Sequence, residues 1–328
     1  MREFVRNAGV ENLPDTLRGG VVAIGNFDGV HRGHQTVLQH ALESAYKHKR
    51  PPVVLTFEPH PRSVFRPDIP LFRLTPAPMK ARLFEAMGFD GVVEQPFTRE
   101  FSQLSPEAFV HAMLIDGLGA AEAVTGFDFH YGKGRAGTPE TLKQAGERYR
   151  FDVTRVDAFS DEGGEVVSSS RIRALLSQGK AAEAAGLLGY RYTVAGEVKN
   201  GKKLGRTLGY PTANMVLPEG TDLLHGIYAV RFRRANGTIH DGVASFGRRP
   251  TVEDEGAPLL ETFVFDLDAD LYGETCAVSL FGLLRGEEKF DSLDALVARM
   301  KQDEAEARAL LSDVRPLSEL DRCIAFST

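Results

Sequence analysis

Val21-Val22-Ala23-Ile24-Gly25-Asn26-Phe27-Asp28-Gly29-Val30-His31-Arg32-Gly33-His34 is the stretch on which the reading of this chain turns. Its four leading apolar residues show no polar alternation, as expected of a strand covered on both faces. Gly, Asn and Asp then break the run, and a helical stretch follows from about His34 to Tyr46. The carboxyl end of a strand beside a helix N-terminus is where an open α/β sheet binds ligands, and anions above all. Gly25 lets the backbone come close to a phosphate. His31 and His34, three positions apart, can share one side of a helical turn and donate hydrogen bonds to a phosphoryl group. A zinc site is the competing use, but no third or fourth ligand lies at suitable spacing.

Outward from this stretch the first half alternates short apolar runs with helical ones. Val53–Phe57, Gly91–Glu94, Ala121–Thr125 and Phe151–Val156 read as strands; Ala77–Met87, Pro106–Leu114 and Pro139–Tyr149 read as helices. That alternation predicts a parallel, Rossmann-like α/β sheet. Beyond an Ala-rich helix that stops at Gly189 the pattern changes. Tyr192–Val198, Tyr228–Phe232, Ile239–Val243, Glu261–Leu267 and Thr275–Leu280 are short strands punctuated by turns such as Ala235-Asn236-Gly237, which predicts a small, mainly antiparallel β-barrel. Leu293, Leu296, Val297 and Met300 then mark a C-terminal helix, with Ser292 or Asp291 as its cap. The expected domains are residues 1–185 and 186–328.

At roughly 100–200 residues per domain, a 328-residue chain agrees with that division. The 39 Lys and Arg against 45 Asp and Glu leave a formal charge of −6, which disfavours a nucleic-acid partner. No apolar run approaches the ~20 residues of a membrane span, and no signal peptide opens the chain. Cys276 and Cys323 form no CxxC and read as free thiols, so the expected compartment is the cytoplasm, with no membrane partner. Nothing in the pattern sets an oligomeric state.

Three further stretches carry chemistry. Ser168-Ser169-Ser170-Arg171-Ile172-Arg173 opens a helix, and reads equally as a capped surface helix or as a polyphosphate site. Gly132-Lys133-Gly134-Arg135-Ala136-Gly137 imitates a dinucleotide fingerprint, with Asp157 beyond it, but it does not belong to the first βα unit. Gly205-Arg206-Thr207-Leu208-Gly209-Tyr210-Pro211-Thr212-Ala213-Asn214 reads alone as a Gly/Pro-rich turn. Thr212 and Asn214, two apart on an extended segment, would face one way and could help to ligate Mg²⁺.

Gly25–His34 resembles the (H/T)xGH signature of the nucleotidyltransferase superfamily. With Thr56–Arg62 (TFEPHPR), Gly126–Gly132 (GFDFHYG) and Ser168–Arg173, the first half is similar to the bacterial bifunctional riboflavin kinase/FAD synthetase family. Gly205–Asn214 continues the match as its GRxLGFPTAN motif, followed in order by Gly226–Tyr228, Ser245–Thr251, Leu271–Gly273 and Leu284–Glu287. The chain departs from that pattern at Ser170, Tyr210, Ser245 and Lys199–Lys203, none of which removes a group the chemistry relies on.

The resemblance implies a nucleotidyltransferase domain that joins FMN to ATP, and a barrel that phosphorylates riboflavin with ATP. It implies His31, His34 and Arg173 as catalytic in the first activity and Glu261 as the base in the second. Gly25, Phe27, Asp28, Gly33, Ser169 and Ser170 would surround one nucleotide, Gly205 and Gly209 the other. Asp128 would lie in a flavin or nucleotide loop, and Thr212 and Asn214 beside Mg²⁺. A flavin- or nucleotide-binding regulator that has lost its chemistry is the alternative.

Overall fold

The structure, a computed structural model, describes residues 3–200, 210–248 and 256–326. Gly205 and Gly209 therefore lie outside the described residues. Two compact units make up the chain. One comprises residues 1–71 and 75–168, the other Phe72–Leu74 and residues 169–328.

The first unit is built on a six-stranded, wholly parallel sheet. Its strands are β1 (Val5–Ala8), β2 (Val21–Ile24), β3 (Pro52–Glu58), β4 (Gly91–Pro96), β5 (Glu122–Gly126) and β6 (Asp152–Val156). They lie in the order β1-β4-β3-β2-β5-β6. All four residues of β2 are buried, which is why that strand reads as an unbroken apolar run. Edge strand β1, which alternates Val-Arg-Asn-Ala, was not expected; it pairs with β4.

Helix α1 (Arg32–His48) packs on β2, β3 and β5 through Val37, Leu38 and Ala41. Helices α2 (Pro61–Phe65), α3 (Ala77–Met87), α4 (Pro106–Phe109) and α5 (Pro139–Tyr149) complete the layers. The expected 106–114 helix is regular only as far as Phe109; a wider π turn carries it from Val110 to Ile115. Val22, Ile24, Leu55, Phe57 and Val93 meet Phe109, Leu114 and Leu142 in one apolar core.

The second unit begins with α6 (Ser169–Ser177) and α7 (Ala181–Leu188). Six strands follow: β7 (Thr193–Glu197), β8 (Thr212–Val216), β9 (Gly226–Arg233), β10 (Ile239–Arg248), β11 (Pro258–Val264) and β12 (Thr275–Gly286). Their order is β7-β12-β9-β10-β11-β8, all neighbours antiparallel. An isolated bridge between Lys199 and Asn214 joins the two edge strands and brings the sheet close to a closed barrel. Tyr228, Phe232, Phe246 and Leu280 are fully buried. Helix α8 (Leu293–Ser312), capped by Ser292 as expected, packs on β9 and β10. Helix α9 (Glu319–Ala325) follows it, and Arg191 is paired with the buried Asp321 at its N-terminus.

The parallel α/β unit and the antiparallel barrel with its C-terminal helix are the architecture the sequence led us to expect. The packing boundary differs from the expected one at 185/186. Helices α6 and α7 group with the barrel, because Ala184, Ala185, Leu187 and Leu188 are buried and α7 lies on β12.

Candidate active site

In the first unit the strand order turns at β2. The chain proceeds from β2 to β3 and β4 on one side, and returns to β5 and β6 on the other. The crevice beyond the carboxyl ends of β2 and β5 is the switch point at which such sheets take their ligands. Gly25 and Gly126 stand at those two ends, and both line a cavity of about 680 Å³.

The turn that leaves β2 is tightly constrained. A Cβ on Gly25 would come 2.9 Å from the Phe27 ring. Phe27 and Val30 hold positive φ values of 47° and 38° although both are buried. A β-branched residue in that region is strained, and such strain persists where the surroundings over-determine it. Asp28 is buried, its carboxylate accepting from Thr75 N–H at 3.1 Å, while Thr75 Oγ1 accepts from Gly29 N–H at 2.8 Å. The acidic side chain thus braces the turn.

His31 is the N-cap of α1, and its Nδ1 accepts from His34 N–H at 3.3 Å. A neutral ring that accepts at Nδ1 carries its proton on Nε2. The His31 and His34 rings stack at 3.6 Å with planes 17° apart, and Phe27 meets His34 edge-on at 5.4 Å. Burial first, then the charges of His31 and Lys80, holds the His34 imidazole well below its ordinary range. His34 Nδ1 is buried without a hydrogen-bond partner among the described residues. His34 lines the cavity together with Phe27 and Asp128.

Much of the remaining lining of the cavity is aromatic. Phe57, Phe65, Phe97, Phe101, Phe109 and Phe129 line it, and Arg62, Arg66 and Arg135 add positive charge. Phe129 stacks on Tyr131 at 5.5 Å. The Gly132–Gly137 segment, which imitates a dinucleotide fingerprint, is a short loop after the fifth strand. It folds back through a Tyr131–Gly137 bridge and contributes Gly132, Gly134 and Arg135 to the same cavity. It lies in the connection from β5 to α5 and ends beside Thr138, the N-cap of α5.

In the second unit Ser169 and Ser170 begin α6, and Arg173 lies one turn on. Arg173 Nε donates to Phe72 O at 2.6 Å. The barrel gathers the remaining residues. Segment 212–216 is a strand, not the turn its Gly and Pro content suggests. Asn214 stands directly opposite Glu261, and Glu261 directly opposite Ser245. Along β11 Leu260, Thr262 and Val264 are buried while Glu261 and Phe263 are partly exposed, which puts Glu261 on the outer face. Asn214 Nδ2 donates to Thr212 O at 3.1 Å, which fixes its amide beside the Thr212 side chain. Tyr210 packs edge-on against Phe263 at 4.8 Å.

Gly25, Phe27, His34 and Asp128 thus share one cavity; Thr212, Asn214 and Glu261 share one sheet face. Two features escaped the sequence reading. One is the phenylalanine lining, whose only trace was the 21 Phe in the composition. The other is Lys80, on the buried stripe of α3 with Leu83 and Phe84. A lysine three and four positions before apolar residues was the available signal.

The chain thus pairs an α/β unit that carries a histidine-lined cavity with a barrel that carries a Thr212–Asn214–Glu261 face. A FAD synthetase family model matches residues 13–171 and a riboflavin kinase model residues 188–311. The chain is 38% identical over 309 residues to the bifunctional riboflavin kinase/FMN adenylyltransferase of Escherichia coli K12, covering 94% of this chain and 98% of that one. It is 39% identical over 299 residues to the enzyme of the same name from Listeria monocytogenes, covering 89% and 92%. A solved structure from Streptococcus pneumoniae, described as a macrolide-efflux protein, is 32% identical with a TM-score of 0.79, covering 93% and 98%. Among the described residues of the present chain no helix is long and apolar enough to cross a membrane. The chain belongs to the bifunctional riboflavin kinase/FMN adenylyltransferase family.

Proposed function

We propose that the barrel unit phosphorylates the ribityl 5′-hydroxyl of riboflavin with ATP, giving FMN and ADP. The first unit then joins FMN to a second ATP, giving FAD and pyrophosphate. The observation that carries this reading is that one chain holds both a histidine-lined, aromatic cavity at a strand switch point and a Thr212–Asn214–Glu261 face on a barrel.

In the first unit the phenylalanine walls suit the flat, apolar flavin ring, and the arginines suit its phosphate. The FMN phosphate is already a nucleophile, so no base is required. The site must align two anions and offset charge on the α-phosphate and the leaving pyrophosphate. His31 and His34, at the N-terminus of α1, serve the α-phosphate; a His34 ring held neutral can donate and accept without adding a titrating charge. The family resemblance assigns Ser169, Ser170 and Arg173, at the start of α6, to the pyrophosphate. Gly25, Phe27 and Gly33 supply backbone, and Asp28 acts by holding the turn.

In the second unit Glu261 orients the riboflavin hydroxyl and accepts its proton. The Thr212 hydroxyl and the Asn214 amide are hard, neutral oxygen donors of the kind Mg²⁺ takes while keeping waters. Bound there, Mg²⁺ would neutralise phosphate charge. Two free thiols accord with a cytoplasmic enzyme; that of Cys276 is pushed up to about 11 by burial.

Incubation with riboflavin and Mg-ATP, followed by chromatography of the flavins, tests the proposal. Both FMN and FAD should accumulate. Bound but unaltered riboflavin would leave the regulator reading standing instead.

A further inference from the structure

Lys80 is a lysine inside a hydrophobic core, its side chain 2% exposed and flanked on α3 by the buried Met79, Leu83 and Phe84. A buried ammonium is tolerated only with close partners. Its Nζ reaches Asn26 O at 3.1 Å, Thr56 Oγ1 at 2.9 Å and Glu58 Oε1 at 2.9 Å. Thr56 and Glu58 belong to the end of β3, and Asn26 to the turn that leaves β2. Thr56 Oγ1 also donates to Asn26 O at 3.2 Å, so that carbonyl is gripped from two sides.

A trans peptide is planar, with its C=O and the next N–H pointing in opposite directions. Fixing the Asn26 carbonyl on Lys80 therefore fixes the Phe27 N–H on the other side. Asn26 and Phe27 line the cavity, and Lys80 does not. Resting on the adenylyl-transfer reading above, we propose that Lys80 is a positioning residue for that reaction. Its ammonium sets the Asn26–Phe27 peptide so that the Phe27 N–H faces the transferred phosphate. The need for such a grip is visible in the turn, where Phe27 and Val30 hold strained positive φ values. The competing idea is that Lys80 serves only to neutralise Glu58.

Three variants of the full chain test this: Lys80→Met, the double variant Lys80→Met/Glu58→Gln, and His34→Ala as a reference. Each is measured for FMN adenylylation, for riboflavin phosphorylation and for thermal unfolding by circular dichroism. Misplacement of a reacting group by about 1 Å can cost about a hundredfold. The expected result is a loss of that order in kcat for adenylylation in both Lys80 variants, with KM for FMN and riboflavin phosphorylation unchanged. A double variant with adenylylation restored to within threefold of wild type overturns the proposal, because Glu58 was then the reason for Lys80. A raised KM for FMN at unchanged kcat overturns it too. If Lys80→Met fails to fold, the double variant, which leaves no unpaired charge, decides; unfolding of both overturns the proposal in favour of a structural role. Should His34→Ala retain full adenylylation, the site reading itself has failed. Loss in His34→Ala with none in the Lys80 variants rejects Lys80 alone.

Discussion

The candidate sites of the two units are built in opposite ways. In the first, the site is a turn between a buried strand and a helix, held by side chains behind it: Asp28 on Thr75, and Lys80 on Asn26. Its histidines are ordered by capping and stacking. In the barrel, the site is a sheet face, and strand register alone puts Asn214, Glu261 and Ser245 side by side. A site made of register tolerates the loss of one side chain without losing its geometry. A site made of a strained turn depends on groups that never touch the ligand. Substitutions in the two units should therefore fail differently, and each should spare the other activity.

The largest effect is expected at Glu261. Glu261→Gln keeps shape and register and removes the proton acceptor. General-base assistance is worth roughly 10²–10⁴, so riboflavin phosphorylation should fall by about that factor. Supplied FMN should still become FAD, and the barrel should melt as before. A loss under about tenfold in initial FMN production would end the base assignment.

His31→Ala or His34→Ala should be nearly as damaging, in the other activity. Removing a preorganised donor to a developing charge costs about 10²–10³. FMN formation should remain near normal. Equal loss of both products would make the histidine pair a structural element and erase the contrast between the units.

A smaller effect concerns the boundary. A fragment from residue 186 keeps the strands, whereas one from residue 169 also keeps α6 and α7, which bury Ile172, Leu176, Ala184 and Ala185. Fully burying one Leu or Ile is worth about 1.5–3 kcal/mol. The longer fragment should accordingly unfold at higher urea by an amount equivalent to several kcal/mol. Both should make FMN and no FAD if the barrel is the kinase. Equal midpoints would return the boundary to 185/186.

What was legible in the sequence follows from the same contrast. Val21–Ile24 could be read as a doubly covered strand because every residue in it is buried. Glu261 was expected to open a strand over Glu261–Leu267, but it lies in the middle of β11, which runs from Pro258 to Val264. Strand β8 was hidden because Gly205, Gly209 and Pro211 announce a turn and the strand starts one residue later. Strand β1 was hidden because an edge strand of four residues carries too little pattern. The direction of Asp28 could not be read at all. In a Gly/Asp turn a carboxylate points equally well to a ligand or to the backbone behind it, and only the distant Thr75 decides. Lys80 is the same case, since its partners lie on two separate segments, the turn after β2 and the end of β3.

The smallest effect is one of pH, and it separates the units by the state of a buried imidazole. Burial, with the charges of His31 and Lys80 beside it, holds His34 in the folded protein well below its ordinary value. In the unfolded chain it titrates near 6.5. Above about pH 6.5 the ring is neutral in both states and contributes no slope. As pH falls below that value the unfolded chain binds a proton that the folded chain refuses, so stability drops as the pH drops, by at most about 1.36 kcal/mol per pH unit. The loss ends only when the pH passes the lowered folded value. His34→Gln has no proton to bind and lacks this slope. Urea midpoints of wild type and His34→Gln, followed by circular dichroism at pH 7.5 and 5.5, give the double difference. Wild type should lose more stability than the variant over that interval. Parallel losses in wild type and His34→Gln would mean that His34 accepts a proton in the folded protein as readily as in the unfolded one, and the neutral-imidazole account of adenylyl transfer would go with it.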